Sequence, residues 1–227
     1  MYKLISIVML MLMTSWSYAN DIYVTQSGNA LDLDITQDGE NNTVGNSTTA
    51  SASAGVTTIL NIDQIGDSNV ITYQINGATY TGVINLVGNS NNVDLNCDST
   101  GGNSSCGTAN AVINFTGSSN DIDLDIGQTS SANTADVDIV GQSGSDSNVV
   151  AATVDGNSAV LTITVNGDTN NYLIDIDGNG DSVGHTLIHS HTGGIADVDI
   201  IQSGTNDNMI TLTTSGDNAD IDISQTD

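Results

Sequence analysis

Short alternating runs of apolar and polar residues recur along this chain, and most of them close on a glycine. In "LDLDITQDG", Leu31, Leu33, Ile35 and Gln37 fall on one side of a period-two element, and Asp32, Asp34 and Thr36 on the other. The same alternation sets Leu60, Ile62 and Gln64 against Asn61 and Asp63, and Ile122, Leu124, Ile126 and Gln128 against Asp121, Asp123 and Asp125. It returns in Val198, Ile200 and Gln202 against Asp197 and Asp199, and in Ile221, Ile223 and Gln225 against Asp220 and Asp222. A period of two with many β-branched residues predicts strands rather than helices.

The glycines give the runs a spacing of 11 residues, from Gly28 to Gly39, across Gly66, Gly77 and Gly88, and across Gly156, Gly167 and Gly178. Self-similarity at a fixed period predicts one small unit stacked many times. About fifteen units are present, and two of them make a turn of about 22 residues. The expected fold is all-β, a β-solenoid or flattened β-helix with two short strands per ~22-residue turn and about seven turns, its rungs ~4.8 Å apart. A hairpin sandwich also has regularly spaced strands, but it does not require the repeated unit to keep its identity, including its Gln.

The glutamines lie on the apolar side. Burying an amide without partners costs a few kcal/mol, roughly 1–3 by mutational data. Stacked in register, Gln26, Gln37, Gln64, Gln128, Gln142, Gln202 and Gln225 can each bond the next rung, as in cross-β amide ladders. Asn42, Asn69 and Asn133 follow in the turns, where Asn tolerates left-handed geometry and also stacks. The alternative is that each Gln only ends its strand at the solvent edge.

The first residues read as a processing segment. Lys3 precedes an apolar stretch, Leu4 to Met13, too short to span a bilayer, and Ser17-Tyr18-Ala19 is a small-x-small cleavage pattern. The expectation is a signal peptide over 1–19, one solenoid domain over 20–227, and insertions near 46–55 and 97–107. No later segment is apolar enough to span a membrane. Cys97 and Cys106 bracket the second insertion, and a lone pair in an exported chain predicts a disulfide.

Charge narrows the function classes. The formal net charge is −26, and the one basic residue, Lys3, lies in the signal. A chain without Lys or Arg does not hold a phosphate backbone, which excludes nucleic acid and disfavours anionic lipid. It also lacks a cationic group for substrate or transition-state charge, a nucleophile elbow and a phosphate loop, so no enzyme is expected. Carboxylate pairs such as Asp123/Asp125 are better explained by the repeat than by a glycosidase site.

The outward aspartates raise a different question. Asp175/Asp177, Asp197/Asp199 and Asp220/Asp222 are spaced to stack as columns. Carboxylates ~4.8 Å apart repel by roughly 1 kcal/mol even in water. Either these columns form a solvated surface that slows premature assembly, or Ca²⁺ or Mg²⁺ sits between them. No other cofactor is expected. Intervening strands present Thr162/Thr164 and Thr211/Thr213, an array that would suit ice binding were it not broken by "HTLIHSHTGG". His189 and His191 share a strand face near His185, a placement open to a metal or to plain polar surface.

The recurring motif resembles a known family. Gln64-x-Gly66-x-x-Asn69 matches the core of the curlin repeat, and Gln26-x-Gly28 with Gln37, Gly39 and Asn42 fits its two-arm layout. Gln128 with Asn133 keeps the spacing without the Gly, and Gln142-x-Gly144 and Gln202-x-Gly204 place their Asn one residue late, at Asn148 and Asn208. Units near 83–96 and 151–191 keep strand and Gly but lose the Gln. The chain is similar to a divergent curlin-type subunit of curli, the extracellular functional-amyloid fibres of Gram-negative bacteria. That resemblance implies a solenoid polymerising end to end on the cell surface, an outer-membrane secretion pore and a nucleator as partners, and roles in adhesion and biofilm matrix. Both "DIYVTQSG" and "DIDISQTD" read as ordinary rungs without caps, which fits a subunit that adds to its own kind. The other function class is a minor or monomeric secreted β-solenoid adhesin or fibre nucleator with a cation-binding Asp face.

Overall fold

The computed structural model describes residues 20–226 apart from 28, 40, 46–50, 67, 89, 98–105, 118, 128–133, 143, 145–146, 157, 178–184 and 205–207. The expected signal segment and much of both insertions therefore lie outside the described residues. Everything assigned is strand. In chain order these are β1 (Asn20–Ile22), β2 (Thr25–Ser27), β3 (Ala30–Asp38), β4 (Asn42–Val44), β5 (Ser51–Ile65), β6 (Val70–Val87), β7 (Ser90–Cys97), β8 (Thr108–Thr116) and β9 (Ser119–Ile126). They continue as β10 (Thr134–Gly141), β11 (Asn148–Val154), β12 (Ser158–Asn166), β13 (Thr169–Asp177), β14 (Thr186–Thr192), β15 (Ile195–Ser203), β16 (Met209–Ser215) and β17 (Asn218–Thr226).

All pairings are parallel and connect each strand to one a full turn away. Two columns result. The first stacks β3, the second half of β5, the second half of β6, β8, β10, β12, β14 and β16. The second stacks β1 and β2, then β4 with the start of β5, the first half of β6, β7, β9, β11, β13, β15 and β17. This is the expected β-solenoid with about two strands per turn. Its turns are less uniform than the glycine spacing implies: Asn85 follows its partner Asp63 by 22 residues, whereas Asn114 follows Asn85 by 29. Extra residues are absorbed at the corners, because a strand that must match its neighbour's length cannot take them.

The alternation predicted from the sequence holds along the strands. In β9, Ile122, Leu124 and Ile126 are buried between exposed or half-buried aspartates. One inward column runs Ile35, Ile62, Ile84, Ile113, Ile139 and Ile163. Stacking like on like lets aliphatic side chains interdigitate along the axis at crystal-like density. Where a large side chain enters, a small one answers it: a Cβ on Gly141 would lie 2.6 Å from Cζ of Phe115 on the adjacent level.

The corners depend on glycine. Gly66 has φ +152°, and a Cβ there would stand 1.5 Å from the carbonyl oxygen of Gly39 one turn away. Its N–H meanwhile donates to Val87 O at 2.8 Å. The chain can pass this close to its neighbour only where no side chain intervenes. Cys97 and Cys106 form the expected disulfide, with Cα atoms 5.7 Å apart and both residues buried. It ties the end of β7 to the corner before β8.

Candidate functional site

The amide ladder is present, but asparagine builds most of it. Asn42, Asn69, Asn91, Asn120, Asn148 and Asn170 are buried in one column near the start of the second-column strands. Asn69 Nδ2 donates to Asn42 Oδ1 at 3.2 Å. Asn91 donates to Asn120, Asn120 to Asn148 at 2.5 Å, and Asn148 to Asn170. Donation runs away from the middle in both directions, so the Oδ1 atoms of Asn69 and Asn91 are left without a hydrogen bond. The column ends where Ala196 pairs with Asn170.

Glutamine contributes two separate pairs. Gln64 Nε2 donates to Gln37 Oε1 at 2.6 Å in the first column, and Gln225 Nε2 donates to Gln202 Oε1 at 3.2 Å in the second. Between them the first-column slot passes to Leu86, Phe115, Gly141, Val165 and His191. Gln142 does not join: it is exposed just beyond β10, and Gly141 takes the inward position. The Phe115 ring fills that space, so a longer side chain has no room there. The side chains of Gln26, Gln128 and Asn133 lie outside the described residues.

The outward carboxylates are more interleaved than expected. Asp34 accepts from Asn61 Nδ2 at 2.8 Å, Asp63 from Asn85 at 2.6 Å, and Asp125 from Asn96 at 3.2 Å. In each case an amide stands where a second carboxylate would repel, and it supplies a donor instead. Carboxylate meets carboxylate at Asp94 and Asp123, at Asp197 and Asp220, and at Asp199 and Asp222. The proposed column through Asp175 and Asp177 is corrected: Asp175 pairs with Ile201 and Asp177 with Ser203, whose Oγ donates to the Asp177 carboxylate at 2.5 Å. Asn171 and Leu173 instead lie beside Asp197 and Asp199. The register between β13 and β15 is thus displaced by four positions from the one the aspartate spacing suggests. The outward face is not sorted by column either, since Asp136 and Asp138 lie in the first column with the Thr-bearing strands.

Burial and crowding raise several of these carboxyls. Asp155 is pushed up to about 6, first by burial and then by Asp177, Asp175 and Asp125. Asp123 is raised by burial, then by Asp94 and Asp121, and Asp175 by burial, then by Asp177. Among the described residues no three His, Cys, Asp or Glu side chains gather into a metal-binding group. The threonine array is interrupted as the sequence suggested, by Ile188 between Thr162 and Thr211 and by Ser190 between Thr164 and Thr213.

The histidines face inward, which the polar-surface reading missed. His185, His189 and His191 are all buried. His191 Nδ1 lies 3.1 Å from Asn170 Nδ2 and 3.2 Å from the Tyr172 hydroxyl, and His185 Nδ1 accepts the Ala159 N–H at 3.2 Å. An Nδ1 that accepts cannot also carry a proton, so the His185 ring is neutral. His189 packs edge-on to Tyr172 at 4.3 Å between centroids, and neither of its ring nitrogens has a hydrogen bond. Burial lowers all three, and His191 adds to the effect on His189, which falls to about 4. The alternation of "TLIHSHT" places His189 and His191 in phase with Leu187, and that phase is the signal for their burial.

The coil leaves two rungs uncovered. At one, Ile22, Leu31 and Leu33 are only partly buried; at the other, so are Ile210 and Leu212, and Ile221 and Ile223 are exposed at 37% and 48%. These side chains are in phase with the buried columns, and nothing among the described residues covers them. No helix among the described residues is long and apolar enough to cross a membrane. Neither a family model, a curated protein nor a solved structure matches the chain.

Proposed function

We propose that this chain is a secreted structural subunit that assembles end to end, by its solenoid rungs, into curli-like amyloid fibres serving surface adhesion and biofilm matrix. The observation that carries this reading is the pair of uncovered rungs. Each presents aliphatic side chains in core phase together with a row of backbone N–H and C=O groups, the template for a further parallel strand. Proteins that stay monomeric blunt such edges with a cap, a charge turned inward or a proline.

The buried Asn and Gln ladders support the same reading, since stacked amides are characteristic of cross-β assemblies. The curlin-like motif adds that export uses a dedicated outer-membrane pore and that a nucleator starts growth. Fibre diffraction and amyloid-dye binding on the purified chain, without residues 1–19, test the proposal. A meridional reflection at ~4.7 Å is expected. Protein that remains monomeric for days at high concentration would overturn it in favour of the adhesin reading.

A further inference from the structure

The two uncovered rungs begin and end in the same column. β1 and β2 occupy the second column at one edge, and β17 occupies it at the other. The described coil therefore closes a half-integral number of turns. This inference rests on the end-to-end reading and specifies the joint it requires.

A second copy added by translation alone would place its 20–27 segment over β17. Its β3 would then lie two levels above β16, with no strand between them. Each joint would leave one strand missing from the first column, and backbone groups without partners on both sides of the gap. A copy turned by half a revolution about the coil axis leaves no gap, because its 20–27 segment covers β16 and its β3 covers β17. A coiling chain reverses direction between its two columns. A half-turn therefore carries one column onto the other and keeps every pairing parallel.

The residues fit this joint at one constant offset through two strands and the corner between them. Ile22 lies over Ile210, Val24 over Leu212, Leu33 over Ile221 and Ile35 over Ile223. Ser27-Gly28 follows Ser215-Gly216 at the corner. Gln37 lies over Gln225. Within the chain Gln64 donates to Gln37 and Gln225 donates to Gln202, in the same sense along the axis. The joint thus unites two separate glutamine pairs into one ladder of uniform direction: Gln64 and Gln37 of one copy, then Gln225 and Gln202 of the next.

We propose that successive copies join head to tail with a half-turn between them, giving the fibre a two-fold screw along its axis. Such a heterologous contact leaves the same edge free after each addition and so yields an open filament. The stacked carboxylates Asp197/Asp220 and Asp199/Asp222 then alternate sides from copy to copy.

Cysteine pairs in assembled fibres distinguish the two joints. Thr25, Thr213 and Ser224 all face outward and are exposed. The half-turn joint sets Thr25 beside Thr213, and translation sets it beside Ser224. Neighbouring parallel strands bring Cα atoms to ~4.8 Å, within disulfide range. Fibres of the Thr25→Cys/Thr213→Cys variant, oxidised and then dissolved, should give a ladder of cross-linked multimers on a non-reducing gel. At least tenfold less is expected from Thr25→Cys/Ser224→Cys. Mass spectrometry should find the peptides of residues 25 and 213 joined. If the first variant does not assemble, Asp32→Cys/Asp220→Cys reports the same joint. Cross-linking through Ser224→Cys, or fibres in which neither half-turn pair cross-links, would overturn the half-turn and leave the fibre reading standing. Absence of fibres from the unsubstituted protein would instead remove the end-to-end reading, and this joint with it.

Discussion

Asn120 Nδ2 donates to Asn148 Oδ1 at 2.5 Å one level along the axis, and both side chains are buried. Asn91 donates to the Oδ1 of the same Asn120. One amide therefore links three levels of the solenoid, with its second N–H given to Gly117 O at 2.9 Å. Removing it takes an acceptor from Asn91, which keeps only Thr116 O, and a donor from Asn148 Oδ1, and a lost buried partner costs about 1–3 kcal/mol. Asn120→Ala is expected to lower stability by about 2–4 kcal/mol on that basis. Asn120→Asp should be worse, because it loses both donors and buries a charge. Denaturant midpoints compared with those of an outward control such as Asn171→Ala check this.

Gly66→Ala should be among the most damaging single substitutions. The new methyl meets the Gly39 carbonyl at a distance no contact tolerates, and φ +152° is closed to other residues. The corner must then open, and the Gly66 N–H bond to Val87 O goes with it. The prediction is loss of the cooperative thermal transition, or a large drop in Tm. A mutant melting within a few degrees of the parent would show the corner to be less close than described.

The buried histidines make the rungs around β14 sensitive to acid. In the folded chain His189 titrates near 4, against an ordinary 6.5 in the unfolded chain. Below pH 6.5 the unfolded chain binds a proton that the folded one refuses. Stability from this group is thus lost progressively as pH falls from about 6.5 to about 4. His185 and His191 act in the same direction. Protection factors of the amides in β14 and β16, taken relative to intrinsic exchange at each pH, should fall over that window, and His189→Leu should remove part of the effect.

Asp155 works against that trend. Its folded value of about 6 lies above the ordinary 3.8, so the folded chain holds a proton that the unfolded one has released. The strain it imposes is full above pH 6 and is relieved as pH falls toward 3.8. Asp155→Asn is therefore expected to stabilise the chain at pH 7.5 and to change it little at pH 4. A pH series of unfolding midpoints for mutant and parent checks the sign.

The disulfide closes a short loop at the β7–β8 corner. Chain-entropy arguments assign it about 2–3 kcal/mol. Cys97→Ala/Cys106→Ala should lower the unfolding free energy by that amount while leaving the two-column fold intact by circular dichroism. A double variant as stable as the parent would mean that the neighbouring rungs already hold this corner.

Much of the architecture was legible in the residues. Alternation in "DIDLDIGQ" or "ALDLDITQD" fixes which side of a strand is buried, because the pleat sends successive side chains to opposite faces. Lone cysteines bracketing an insertion named the disulfide, and Gln64-x-Gly66 marked the amide and the corner that follows it. The same phase argument, carried through "TLIHSHT", places the histidines inside. The polar reading of His189 overrode a pattern that was already correct.

Register was beyond the sequence. Sliding a strand by two or four residues keeps its apolar side inward, so local pattern cannot tell Asp175 beside Asp197 from Asp175 beside Ile201. That choice is made at the corners, where the length and path of the chain decide which residue arrives opposite which. The same decision set most carboxylates beside asparagine, threonine or aliphatic neighbours and left carboxylate beside carboxylate at a few levels only. It also gathered asparagines from many different turns into one buried ladder. The sequence determined what each strand buries; only the closed coil determined what each residue stacks upon, since stacking joins residues 22 to 29 positions apart, through corners whose lengths vary.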